Sequence, residues 1–117
     1  MSGLTTHILD LTHGQPASNV TIELYYFSNG ERHLLKTSKT NSDGRLDQPF
    51  LSEEEIKLGI YELNFHIGEY FRSKYLELPN PLFLDQVPVR FGVANLENHY
   101  HVPLLISPFG YQIYRGS

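Results

Sequence analysis

Apolar and polar residues alternate with a period of two along most of this chain, the pattern of strands that bury one face. In residues 20–27, Val20, Ile22, Leu24 and Tyr26 line one side while Thr21 and Glu23 line the other. Asn29-Gly30 marks a tight turn, because both residue types tolerate the positive φ that short hairpin turns demand. Leu34 to Thr40 is the predicted return strand, and Asn41-Ser42-Asp43-Gly44 a second turn. Ile60 to His66 places Tyr61, Leu63 and Phe65 on one face. Val87, Val89, Phe91 and Val93 alternate again, as do Tyr100, Val102, Leu104 and Ile106. Thr5 to Leu11 is the opening strand, and Tyr111 to Arg115 the closing one after a turn at Ser107-Pro108-Phe109-Gly110.

Helical signals are few. Ser52-Glu53-Glu54-Glu55 has the form of a capping box, which predicts a short helical turn through Leu58 stopped by Gly59. Gly68 to Tyr75 is a weaker helical candidate, and the two prolines in Leu78-Pro79-Asn80-Pro81 make that stretch a loop. Seven or eight strands with frequent turns predict an all-β fold, a β-sandwich. Without repeats, linkers or low-complexity tracts, residues 1–117 read as a single domain.

Composition narrows the function. A chain of 117 residues buries roughly two thirds of its unfolded surface, enough for a core but not for a core and a large internal pocket. A binding site is therefore expected at a surface cleft or between subunits. The net charge of -4 and nine scattered Lys and Arg residues argue against nucleic acid and against anionic membranes, both of which need clustered cations. The absence of cysteine removes disulfides, thiol nucleophiles and thiolate metal sites. With no charged and apolar leader at the start and no stretch long enough to span a bilayer, the sequence reads as cytoplasmic.

Three polar positions are candidates for chemistry. His7 shares a strand face with Leu9 and Leu11, His101 shares one with His99 and Leu105, and Arg45 follows Gly44 at a turn. Each has a bland reading as a satisfied imidazole or a solvated turn residue, and the Tyr114-Arg115-Gly116-Ser117 tail reads as a frayed terminus. His99 and His101 also have the spacing of metal ligands on one strand face. Zinc would need a third ligand; His7 is available, but nothing fixes it, and metal-free chemistry is preferred.

Together these segments resemble the transthyretin-related family, in its 5-hydroxyisourate hydrolase branch. The opening Leu4-Thr5-Thr6-His7-Ile8-Leu9-Asp10 with His13-Gly14-Gln15-Pro16-Ala17 is similar to the family's first motif, and Gly44-Arg45 to its second. His99-Tyr100-His101-Val102-Pro103-Leu104-Leu105-Ile106-Ser107-Pro108, closed by Tyr114-Arg115-Gly116-Ser117, resembles the third. Ile8 and Leu11 are conservative variants in the opening motif, while Gln112 and Ile113 stand where many members carry Ser and Thr.

The resemblance implies a transthyretin-like sandwich of two four-stranded sheets with one short helix. It implies a homotetramer, a dimer of dimers with sites where the dimers meet. The implied reaction is hydrolysis of 5-hydroxyisourate to 2-oxo-4-hydroxy-4-carboxy-5-ureidoimidazoline in urate degradation towards allantoin, with no cofactor and no metal. His7, Arg45 and His101 carry over as catalytic residues; Tyr114, Arg115, Gly116 and Ser117 join His7 and Arg45 as substrate-binding residues. Water is a poor nucleophile at neutral pH, so one imidazole, His7 or His101, is expected to act as base while the other orients water or substrate. Arg45 offers a planar donor fork to a developing oxyanion, and Tyr114 can stack on a planar ring. A carrier of small hydrophobic ligands on the same fold is the rival reading, and an adhesion-type sandwich module a more distant one; the His, Arg and terminal tetrapeptide pattern separates this chain from the carrier branch.

Overall fold

The computed structural model describes residues 3–74 and 77–116. Eight strands and one helix follow in the order β1 (Gly3–Asp10), β2 (Gln15–Pro16), β3 (Thr21–Ser28), β4 (Glu31–Lys39), β5 (Gly59–Phe65), α1 (Ile67–Lys74), β6 (Val87–Val93), β7 (His99–Ser107) and β8 (Gly110–Ile113). They form two four-stranded sheets, ordered β2-β1-β7-β8 and β4-β3-β5-β6. All neighbours are antiparallel except β1 and β7, which run parallel. The fold is a β-sandwich, as the strand pattern predicts, with the two four-stranded sheets and one short helix that the transthyretin-like resemblance implies.

The period-two faces meet in the middle. Leu4 and Ile8 of β1 and Leu104 and Ile106 of β7 pack in one core with Ile22 and Leu24 of β3 and Leu63 and Phe65 of β5. Each such side chain contributes about 1.5–3 kcal/mol by leaving water. Polar groups inside the sandwich find partners there: the Thr40 hydroxyl, for one, donates to the Ala17 carbonyl (2.7 Å) and accepts from the Val20 amide (2.9 Å).

The structure departs from the expected elements in physically readable ways. Asn29 (φ 54°) and Gly30 (φ 78°) turn the β3–β4 hairpin, but β4 starts at Glu31, directly after them. Leu34 and Leu35 are 54% and 46% exposed, because β4 is an edge strand and a bulge opposite Leu24/Tyr25 breaks its alternation. The capping box forms, with the Ser52 amide donating to Glu55 Oε1 at 2.9 Å, yet it makes a single turn rather than a helix. The Lys57 amide donates to the Tyr61 hydroxyl (3.0 Å) instead of to a helical carbonyl.

The helix is the weaker candidate. Ile67, Tyr70 and Phe71 give it a buried stripe at helical spacing, and its predicted end, Tyr75, lies outside the described residues. Tyr70 also fastens the helix to β1 by donating to the fully buried carboxylate of Asp10 (2.7 Å), which accepts from His13 Nδ1 as well (2.5 Å). Burial pushes the Asp10 carboxyl up, but the hydrogen bonds from His13 and Tyr70 outweigh it and hold the group below its ordinary value.

Residues 41–45 lie against β1 through Gly44. Its carbonyl accepts from the Ile8 amide at 2.9 Å. Its φ of +73° and the 2.5 Å that would separate an added Cβ from the Ile8 carbonyl oxygen leave no room for a side chain. Gly44→Ala is expected to destabilise the fold by roughly 1–3 kcal/mol and to displace the 41–45 loop. Urea denaturation checks this; a midpoint equal to wild type would contradict it.

Candidate active site

The candidate residues gather because of how β1 and β7 pair. The parallel register sets Thr5 beside His101 and His7 beside Pro103. Leu4, Thr6 and Ile8 of β1 and Tyr100, Val102 and Leu104 of β7 point into the core. By alternation Thr5 and His7, with His99 and His101, stand on the outer face of the sheet. The two histidines are therefore not polar intrusions into a core face. Leu9 shares the outer face with His7, while Leu11 lies past the strand end and is 51% exposed.

Arg45 reaches the same face from the 41–45 loop. An isolated antiparallel bridge pairs it with His7. The loop is shaped by Asn41, whose side-chain oxygen accepts from the Asp43 amide (2.8 Å) and the Arg45 amide (3.2 Å). The Arg45 side chain is exposed and forms no ion pair among the described residues.

The tail closes the arrangement. The Gly116 amide donates to the His101 carbonyl at 2.7 Å. A Cβ on residue 116 would lie 2.7 Å from His101 Cδ2, so only glycine lets the tail cross the imidazole this closely. Thr5, Arg45, His99, His101, Tyr114 and Gly116 together line an open cleft of about 410 Å³. His7 stands beside it, bridged to Arg45. The Arg115 guanidinium lies over the Tyr100 ring, 4.3 Å from its centroid, and is not among the cleft-lining groups. Ser117 lies outside the described residues.

Thr5 is a lining residue that the sequence reading passed over. The available signal was parity: Thr5 sits two residues before His7 and shares its face. Its hydroxyl lies 2.8 Å from His101 Nδ1 and 3.0 Å from His99 Nε2.

Both candidate imidazoles are kept neutral. Burial lowers the His101 pKa from the ordinary 6.5, and the Arg45 charge, then His7 and His99, lower it further. Burial and Arg45 also lower His7, partly offset by a hydrogen bond to the Asp43 backbone and by the Asp43 charge. Neutral imidazoles, a free guanidinium and a tyrosine around one cleft can accept a proton, bind a polar planar ring and stabilise an oxyanion. Among the described residues no group of three or more His, Asp or Glu side chains is gathered to hold a metal ion.

The family described as HIUase/Transthyretin matches residues 4–116. The chain belongs to that family. Among its curated relatives, 5-hydroxyisourate hydrolase 2 of Rhizobium meliloti is 54% identical over 97% of this chain and 95% of its own length. The 5-hydroxyisourate hydrolase of Pseudomonas aeruginosa is 51% identical over 100% of this chain and 93% of its own. Among solved structures in the same fold, (S)-allantoin synthase superposes with a TM-score of 0.92 at 44% identity. The match covers 99% of this chain but only 44% of that one, so the chain spans less than half the length of the synthase. The Klebsiella pneumoniae 5-hydroxyisourate hydrolase superposes with a TM-score of 0.80 at 31% identity, covering 99% and 100% of the two chains. Both branches of the HIUase/Transthyretin family share this sandwich: sea bream transthyretin, solved in complex with thyroxine, matches with a TM-score of 0.85 at 25% identity, over 97% of this chain and 93% of its own.

The depressed imidazoles give a direct test. In an NMR titration His7 and His101 should both titrate below 6.5, and Arg45→Gln should move both midpoints upward. Because the folded state then binds fewer protons than the unfolded one, stability should fall as pH drops below 6.5 through the folded midpoints. Midpoints at or above 6.5 in the wild type, or unmoved by Arg45→Gln, would contradict the electrostatic account.

Proposed function

We infer that this protein is a 5-hydroxyisourate hydrolase, opening the ring of 5-hydroxyisourate with water in urate degradation. The observation that carries this reading is one cleft that combines Arg45, His101, Tyr114 and Gly116 with His7 at its margin. It occurs in a chain whose full-length relatives at 54% and 51% identity bear that enzyme's name. The whole chain works as one domain, and no cofactor or metal takes part.

In this reading His7 is the base. Burial and the Arg45 charge lower its pKa, so the neutral ring has a lone pair that can take a proton from water. The hydroxide attacks a ring carbonyl carbon, a C–O bond forms, and the carbonyl oxygen takes up negative charge that Arg45 and His101 stabilise. Collapse of that intermediate breaks the ring C–N bond, and the proton taken from water passes to the leaving nitrogen. The product is 2-oxo-4-hydroxy-4-carboxy-5-ureidoimidazoline. Tyr114 packs against the planar ring, and Gly116 shapes the wall of the cleft. Arg115, lying on Tyr100, fixes the tail from behind.

The assembly we infer is a homotetramer, a dimer of dimers that sets the cleft of one dimer against another. The open cleft supports this: Tyr114 is 49% exposed in the single chain, and oxyanion stabilisation strengthens when water is excluded. The compartment we infer is the cytoplasm; no helix among the described residues is long and apolar enough to cross a membrane. The carrier reading is disfavoured by the cleft itself, whose charged and hydrogen-bonding lining suits a polar ring more than a hydrophobic ligand.

The test is to generate 5-hydroxyisourate in situ with urate oxidase and follow its absorbance decay. The wild type should accelerate the decay. Arg45→Gln should lose about 10²–10³-fold in kcat/KM, the cost of one oxyanion donor, and His7→Ala and His101→Ala about 10²–10⁴-fold, the worth of acid–base catalysis. Decay at the spontaneous rate with the wild type would overturn the reading. Near-wild-type turnover in any variant would remove that residue from the site.

A further inference from the structure

Thr5 has been given no chemical role so far, yet its hydroxyl stands between two imidazoles, 2.8 Å from His101 Nδ1 and 3.0 Å from His99 Nε2. A hydroxyl carries one proton, and among the described residues the two ring nitrogens are the only partners of Thr5 Oγ1, so it donates to one ring and accepts from the other. With both rings neutral, two arrangements are open. In the first, His99 Nε2–H donates to Thr5, and Thr5 donates to His101 Nδ1. His101 then carries its own proton on Nε2, and His99 Nδ1 is a bare lone pair. In the second, every bond reverses. His101 carries its proton on Nδ1, and His99 must carry its proton on Nδ1 as well.

His99 Nδ1 decides between them. It is buried and has no hydrogen-bond partner among the described residues. The second arrangement would strand an N–H there, and orphaned buried N–H groups are rarer in folded proteins than under-satisfied acceptors. The first leaves only a lone pair unsatisfied. The two rings are nearly parallel, with an interplanar angle of 12° and centroids 6.4 Å apart. The hydroxyl of Thr5 therefore meets both rings from the neighbouring strand at a position fixed by the β1–β7 register.

We propose that Thr5 is a positioning residue. Through the chain His99–Thr5–His101 it holds neutral His101 in the tautomer with the proton on Nε2, so that His101 faces the cleft as a hydrogen-bond donor rather than as a base. The proposal deepens the hydrolase reading and rests on it for its catalytic meaning: a donor at this point meets the developing oxyanion, and His7 is left as the group that takes the proton from water. Among the described residues, the titratable and charged groups around His101 are His7 on β1, His99 on its own strand, Arg45 from the 41–45 loop and Tyr114 from the tail. None of these is a carboxylate, so none favours the imidazolium, and the neutral ring with a fixed tautomer is the working form.

Long-range ¹H–¹⁵N correlation spectra of the full-length protein at neutral pH distinguish the two tautomers of each histidine. The proposal expects the Nε2–H form for His101 in the wild type. Thr5→Val, which keeps the shape and removes the hydroxyl, should lose that preference and lower kcat about 10- to 100-fold, as a misplaced catalytic group does, with KM little changed. Thr5→Ser should restore both the tautomer and kcat. A wild-type His101 protonated on Nδ1 would overturn the proposal, and so would Thr5→Val with wild-type tautomer and kcat. If Thr5→Val fails to fold, the wild-type spectrum and Thr5→Ser still decide. A wild type that does not accelerate 5-hydroxyisourate decay would instead sink the hydrolase reading, while the spectra would still report on the hydrogen-bond chain.

Discussion

The parallel pairing of β1 with β7 is the constraint from which the site follows. It joins segments about as far apart in sequence as this chain allows, placing Gly3 against His99 and Asp10 against Ile106. Every other neighbouring pair of strands is antiparallel. Since side chains alternate across a strand, a slip of one residue would turn His7 or His101 into the core and bring Thr6 or Val102 onto the open face. Burial of Leu4, Ile8, Leu104 and Ile106 therefore fixes the register and, with it, which polar groups meet outside. The hydrophobic core acts here as the positioning device for the chemistry.

Two loose ends of chain are then drawn to that seam by backbone bonds. Gly44 lies against Ile8 and delivers Arg45 beside His7; Gly116 crosses His101 and delivers Tyr114 to the cleft. Both close approaches need a residue without Cβ. The consequence is electrostatic. Burial first, and then the exposed guanidinium beside them, lowers the pKa of both imidazoles and favours their uncharged forms. That is the state in which one ring can accept a proton and the other can donate a hydrogen bond. The same arginine that would face an oxyanion also prepares the groups around it.

Much of the fold was legible in the sequence, because period-two alternation is a local property. β3, β5, β6 and β7 stand close to where Val20–Phe27, Ile60–His66, Val87–Val93 and Tyr100–Ile106 alternate. What failed locally failed for tertiary reasons. The capping box at Ser52 stops after one turn because the Tyr61 hydroxyl takes the next amide, and edge strand β4 exposes Leu34 and Leu35. The site was legible only in part. His7, Arg45 and His101 were named through a resemblance, whereas the residues alone left them as ordinary surface groups. Thr5 stayed hidden because its meaning depends on pairing with a strand more than ninety residues away. Arg115, expected from its place in the terminal motif to bind substrate, sets its guanidinium over the Tyr100 ring, 4.3 Å from the centroid.

The account as a whole rests on one planar ring being held by groups from β1, β7, the 41–45 loop and the tail at once. A crystal structure of the assembled protein with a non-hydrolysable planar urate analogue tests that directly. The analogue should lie in the cleft with its oxygens within hydrogen-bond distance of Arg45 and His101, its ring against Tyr114, and His7 facing the carbonyl carbon that water would attack. An analogue bound elsewhere, with the cleft between Thr5 and Gly116 left to solvent, would contradict the account.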